Sequence, residues 1–244
     1  MGMNPIIGWR TVGYAAGANS PSENDAKAFD GLTWSFWRAN GIGQRDFSIN
    51  TPSPQAVDYV AIAGHNLAGS TVTLLVNNSI AGSTMVGSNR PFMFRFPQRT
   101  GTSFRIRTNK PTGPVAEVAV CYIGRALELQ RGIWTGHAPM RFNRDNRYLN
   151  NLSETGQLLG RKLISQGAVG EISVDNLTSD WVRDEWEPFT LHAERRGFFF
   201  QHNPSEYPNE VAYCWTTGNS EASNAVPNGQ KGLMAASVSV RGIV

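Results

Sequence analysis

Apolar residues fall into short runs that alternate with polar ones at a period of two, separated by clusters of Gly, Pro, Asn and Ser. Val57 to Leu67 (VDYVAIAGHNL) is rich in β-branched and aromatic residues and ends in a turn at Gly64, and Val72 to Val76 is closed by Asn77 and Asn78. The runs at Phe92–Phe96 and Phe104–Arg107 alternate. That places Phe94, Phe96, Phe104 and Ile106 on one face of a sheet and Arg95, Arg105 and Arg107 on the other. Val115 to Ile123 is a further strand, broken by Gly124. Many short alternating runs with such punctuation predict an antiparallel sandwich, because successive side chains of a strand point to opposite faces and only one of these is buried.

The pattern changes near residues 125–131, where RALELQR is more charged. Leu158–Ile164 and Ala168–Val174 are strand candidates. The stretch from Ser179 to Pro188 has helical spacing, with Thr178 or Ser179 as cap and acidic residues in the first turns. Trp181, Val182, Trp186 and Phe189 fall on one face, and Pro188 is expected to kink or divide the helix. Phe198–Gln201 and Glu210–Trp215 flank HNPSEYPN and predict a hairpin whose long loop projects, and a last strand runs from Leu233 to Val244. The chain is therefore expected to be mainly β, with a sandwich over residues 1–127 followed by a smaller α+β domain with one main helix over 128–244.

Composition narrows the function. The formal charge is only +3, from 22 Lys and Arg against 19 Asp and Glu, and the basic residues are scattered, which argues against nucleic acid as partner. No apolar run reaches the length of a membrane span, so no membrane insertion is expected. The N-terminus shows no basic segment followed by an apolar core. Cys121 and Cys214 lie far apart in apolar strands and are expected to be buried free thiols, so assembly in a cytoplasm is anticipated.

Catalytic motifs are missing: there is no nucleophile elbow, phosphate loop, zinc-binding His pair or Cys pair at metal spacing. His65, His137, His192 and His202 are scattered, and His65 beside a turn glycine is expected to be structural. Asp180, Asp184, Glu185 and Glu187 are the densest carboxylates, but on a capped helix they describe a solvated face, so neither an enzyme nor a cofactor is expected. Trp34 and Trp37 are both assigned to the sandwich core, as are Phe198–Phe200 and Trp134 to theirs, with Trp37 the candidate contact if one tryptophan stands in a binding loop. The other candidate ligand or subunit contacts are Arg95, Arg105 and Arg107 on the sheet face and His202 and Tyr207 in the long loop.

Residues 20–67 resemble the discoidin family, the C-type domains of coagulation factors and related carbohydrate-binding modules. The residues that carry this are Ala28, Asp30, Gly31, Thr33 and Trp34, then Tyr59, Ile62, Gly64 and Leu67. The resemblance implies a jelly-roll sandwich, and it implies a structural calcium for which Asp30 and Thr33 are the residues to test. The second half resembles virion proteins at the tip of long-tailed bacteriophages, through Arg196–Gln201, Asn203–Trp215 and the terminal ASVSVRGI. That resemblance implies a homo-oligomeric ring in the virion, with tail and baseplate proteins as neighbours and host surface polysaccharide as a possible contact. The alternative is a non-catalytic carbohydrate-binding protein of bacterial origin.

Overall fold

The computed structural model describes residues 4–133, 137–224 and 233–244; Trp134 lies outside the described residues. The chain enters through β1 (Ile6–Gly8) and crosses at once to a sandwich. A single helical turn, α1 (Glu23–Ala26), forms because the Ser22 hydroxyl accepts the Asp25 N–H at 3.1 Å. There follow β2 (Trp37–Arg38), β3 (Gly43–His65), β4 (Thr71–Val76), β5 (Ser79–Met85), β6 (Phe92–Lys110) and β7 (Glu117–Gly124), in one sheet of order β2-β7-β3-β6-β4-β5. The first half of β3 pairs with the part of β6 that carries β4, and its second half pairs with the start of β6 and with β7. Register breaks between Asn50 and Gln55, and there the sheet bends over itself. Phe47, Ile49, Ile62, Phe104, Ile106 and Cys121 thereby meet in one core.

The chain then returns through β8 (Leu127–Glu128), which pairs with β1. The strands β9 (Arg147–Leu152) and β10 (Leu158–Ser165) pair only with each other. β11 (Ala168–Thr178), β12 (Phe198–Gln201), β13 (Val211–Asn224) and β14 (Leu233–Ile243) complete a second sheet of order β11-β14-β13-β12-β1-β8. The boundary drawn from the sequence needs correction at its ends. Ile6–Gly8 and Leu127 belong to the second sheet, so the sandwich is inserted between two neighbouring strands of that sheet. A three-residue apolar run carries no mark of which sheet it joins.

The helix starts as expected with α2 (Ser179–Trp181), but a π-helical turn (Val182–Trp186) intervenes before α3 (Glu187–Ala193). Pro188 therefore does not divide it. The wide turn opens the hydrogen-bond ladder where proline has no N–H to give, and Pro188 sits in the first turn of α3, where that loss is tolerated. Val182, Trp186 and Phe189 pack on Phe198, Phe200 and Cys214.

The two units are fused by a third core, in which Tyr59, Ala61 and Tyr122 of the sandwich meet Ile6, Phe199 and Tyr213 of the second sheet. The second half of β3 and all of β7 are thus covered on both faces, which is why they read as near-continuous apolar runs. Hydroxyl groups lock the seam: Tyr59 donates to the Arg10 carbonyl at 2.7 Å, Tyr122 to the Gly197 carbonyl at 2.9 Å and Tyr213 to the Gly31 carbonyl at 2.7 Å. Cys121 and Cys214 are buried free thiols in different cores, and burial pushes both thiols well up.

Candidate functional site

The Asp30–Phe36 loop leaves the sandwich beside the seam. The Asp30 carboxylate accepts the Leu32 N–H at 2.8 Å, and Gly31 has φ +76°, a conformation that glycine adopts without strain. Tyr213 holds the loop from the second unit through its bond to the Gly31 carbonyl, and Trp37 anchors the far end in the core. Between these anchors Trp34 is 76% exposed, with Leu32 and Phe36 exposed beside it.

The core assignment holds for Trp37 and is reversed for Trp34, and Trp37 falls as a contact. Trp34, expected in the core, stands on the surface; Trp37, the candidate contact, is 2% exposed with its ring 4.5 Å from Phe47. Parity is the reason. Ser35, Trp37 and Ala39 alternate inward while Trp34, Phe36 and Arg38 face out, and Arg38 is the residue in WSFWRA that a core would not take. That signal was present in the sequence.

The arginines do not form a free basic stripe. Arg107 grips Asp46 with two bonds of 3.2 Å and Arg105 lies 3.9 Å from the same carboxylate, while Arg95 pairs with Asp58 at 2.9 Å near the other end of β6. Two carboxylates of the adjacent strand β3 serve the three arginines, Asp46 being shared, and such cross-strand partners are what the alternation of one strand cannot reveal.

The loop from His202 to Asn209 folds back where projection was expected. The Gln201 amide donates to the Pro208 carbonyl at 2.8 Å, and the Asn203 side chain accepts the Glu206 N–H at 3.2 Å. Pro204, Pro208 and Asn209 then face Thr84–Arg95 of the sandwich across an open cleft of about 650 Å³. His202 stacks on His137 with ring centroids 4.4 Å apart, and Tyr207 is exposed on the loop. The six candidate contacts therefore do not converge on one site.

Asp30 and Thr33 share the exposed loop, where the Asp30 carboxylate accepts the Leu32 N–H. Among the described residues no group of three or more His, Cys, Asp or Glu is placed to hold a metal. Glu185 is bound by Arg10 at 2.6 Å, and Asp180, Asp184 and Glu187 are exposed. His65 is structural: its Nδ1 accepts the Leu67 N–H at 3.1 Å and its Nε2 lies 2.8 Å from the Arg90 carbonyl. Among the described residues no helix is long and apolar enough to cross a membrane.

No family model and no curated protein matches the sequence. Among solved structures, the chain is similar to chitosan-binding module 1 from a chitosanase/glucanase of Paenibacillus sp. IK-5, with 19% identity over 47% of this chain and 98% of that chain and a TM-score of 0.39. It is also similar to the CBM32 of AlyQ in complex with 4,5-unsaturated mannuronic acid (19% identity, 45% and 94% covered, TM-score 0.35). A third is the family 32 module from C. perfringens NanJ in complex with galactose (17% identity, 45% and 90% covered, TM-score 0.37). These similar structures are carbohydrate-binding modules, the class that residues 20–67 resemble.

Proposed function

We propose that the protein is a non-catalytic carbohydrate-binding protein whose contact surface is the Asp30–Phe36 loop. The observation that supports this is the exposure of Trp34 on a loop held at both ends. An indole stacks on the apolar face of a sugar ring, and a loop ordered before binding loses little entropy when it binds. Thr33 and Asp30 supply polar groups at the rim. Chitosan, 4,5-unsaturated mannuronic acid and galactose, named for the similar modules, are the first glycans to try.

On a glycan that retains the wild type, Trp34→Ala is expected to weaken binding about tenfold or more, or roughly 1.4 kcal/mol, with melting unchanged. Equal binding by the variant, or no binding to any of these glycans, would reject the reading. The same polysaccharides are expected to release no reducing ends on incubation. Release that is lost on changing Asp184 or Glu185 would give the helix carboxylates a catalytic role.

A second reading, a self-assembling structural subunit, is favoured by the exposed β9–β10 hairpin. In this reading copies form a ring at the tip of a long-tailed phage, beside other tail and baseplate proteins, with the sandwich turned to host surface polysaccharide. Imaging of the particle should then show a closed ring of this chain, and isolated single copies would reject it.

A further inference from the structure

Every strand residue of the β9–β10 hairpin is exposed. Tyr148, Leu149 and Leu152 on one strand and Leu158, Leu163 and Ile164 on the other are each between 40% and 61% exposed. The hairpin touches its own molecule at its base, where the Asp145 N–H donates to the Gly167 carbonyl at 2.9 Å and Arg241 pairs with Asp145 at 2.9 Å. A lone two-stranded hairpin is at best marginally stable in water. One with large apolar groups along both strands gains most from a surface that covers it.

The second sheet has such a surface. Its inner face, with Ile172, Val174, Val238 and Val240, packs in the helix-covered core. On the outer face the register sets Glu171 opposite Ser239, and Ser173 opposite Ser237, which is in turn opposite Glu221. The sandwich covers this side of the sheet over Phe199, Val211 and Tyr213, and no residue of β11 or β14 is among the described members of the seam core. The remainder is a serine-rich face carrying Glu171 and Glu221, with Trp215 and Arg241, the latter paired with Asp145, towards one end and exposed Asp175 at its rim. The hairpin has the opposite balance: Arg147, Arg161 and Lys162 against Glu154.

We propose that the β9–β10 arm of one copy docks on the outer face of β11, β14 and β13 of the next copy; this rests on the self-assembly reading above. The basic groups of the arm meet Glu171 and Glu221, complementarity that fixes partner and orientation. The small serines leave room for the leucines to lie flat. Arm and face are different patches, so the contact is heterologous and repeats from copy to copy until rotation closes a ring or a filament grows.

The test is light scattering of the full chain over a concentration series. The wild type should associate. Arg161→Glu with Lys162→Glu on the arm, and Glu171→Lys with Glu221→Lys on the face, should each weaken association at least tenfold while melting is unchanged, since these residues are exposed. Mixing the two variants should restore association, because each keeps one native half of the contact. A wild type that is monomeric at every concentration rejects self-assembly itself. A wild type that associates regardless of both variants rejects only this contact. Dissociation by the arm variant alone overturns the assigned occupant in favour of arm-to-arm pairing.

Discussion

Trp37→Ala is expected to destabilise the sandwich by about 3–5 kcal/mol, the usual cost of removing a buried large aromatic. Trp37 is 2% exposed, stacks on Phe47, and belongs to the two-residue strand β2, whose partner on β7 is Val118. Phe29 lies on the other side of this cluster, 5.6 Å from Phe47. Truncation therefore leaves a cavity where β2, the Phe47 part of β3 and the Phe29 segment meet. Trp34→Ala, on the exposed loop, should change stability by no more than about 0.5 kcal/mol. Denaturant unfolding of the two variants side by side checks this. Equal losses would mean that Trp34 is packed, and a negligible loss for Trp37 would mean that the core does not depend on it.

Stability is expected to fall as the pH is lowered from about 6.5 towards 4, with only small change from pH 6.5 to 8. Burial holds His65 down to about 4, with nearby Lys110 acting the same way against the bond to the Arg90 carbonyl, and burial holds His192 down to about 4 as well. The unfolded chain takes up these protons below about pH 6.5, whereas the native chain refuses them until about pH 4, so acid favours unfolding across that window. The cost for His65 is on the order of 3 kcal/mol. The geometry gives the reason: Nδ1 accepts the Leu67 N–H, and a proton there would turn two donors on each other and break the turn that ends β3. Melting temperatures at pH 7 and pH 4.5 test this, with His65→Gln as the variant that should flatten part of the slope. A pH-independent melting temperature would show that neither ring is held neutral.

Strand identity was legible because burial of one face leaves a period of two, and burial of both faces leaves a continuous run. β4, β7, β11, β12 and β14, the second half of β3 and two parts of β6 can each be traced to such a run, whereas the Gly- and Pro-rich first half of β3 cannot. The apolar stripe Val182, Trp186 and Phe189 likewise marks the helix. The π-helical turn does not appear in that stripe, because a single wide turn barely rotates it. At the candidate site, the Asp30–Gly31 turn was legible from its own chemistry. The role of Trp34 was not taken from the sequence, although the outward parity of Arg38 contained it.

The amino-acid sequence by itself determined most of the long strands, the main helix, the mainly β class, the buried free thiols and the structural place of His65, since each depends on a residue and its near neighbours. Tertiary structure decided what depends on residues distant in the chain. Asp58 pairs with Arg95, and Asp46 with Arg105 and Arg107, from an adjacent strand. The return of β8 beside β1 makes the sandwich an insertion in the second sheet. Tyr213 reaches across 182 positions to hold the loop that presents Trp34. Leu158–Ile164 reads like any other strand, and only the fold shows that it pairs with β9 and that among the described residues nothing covers the pair.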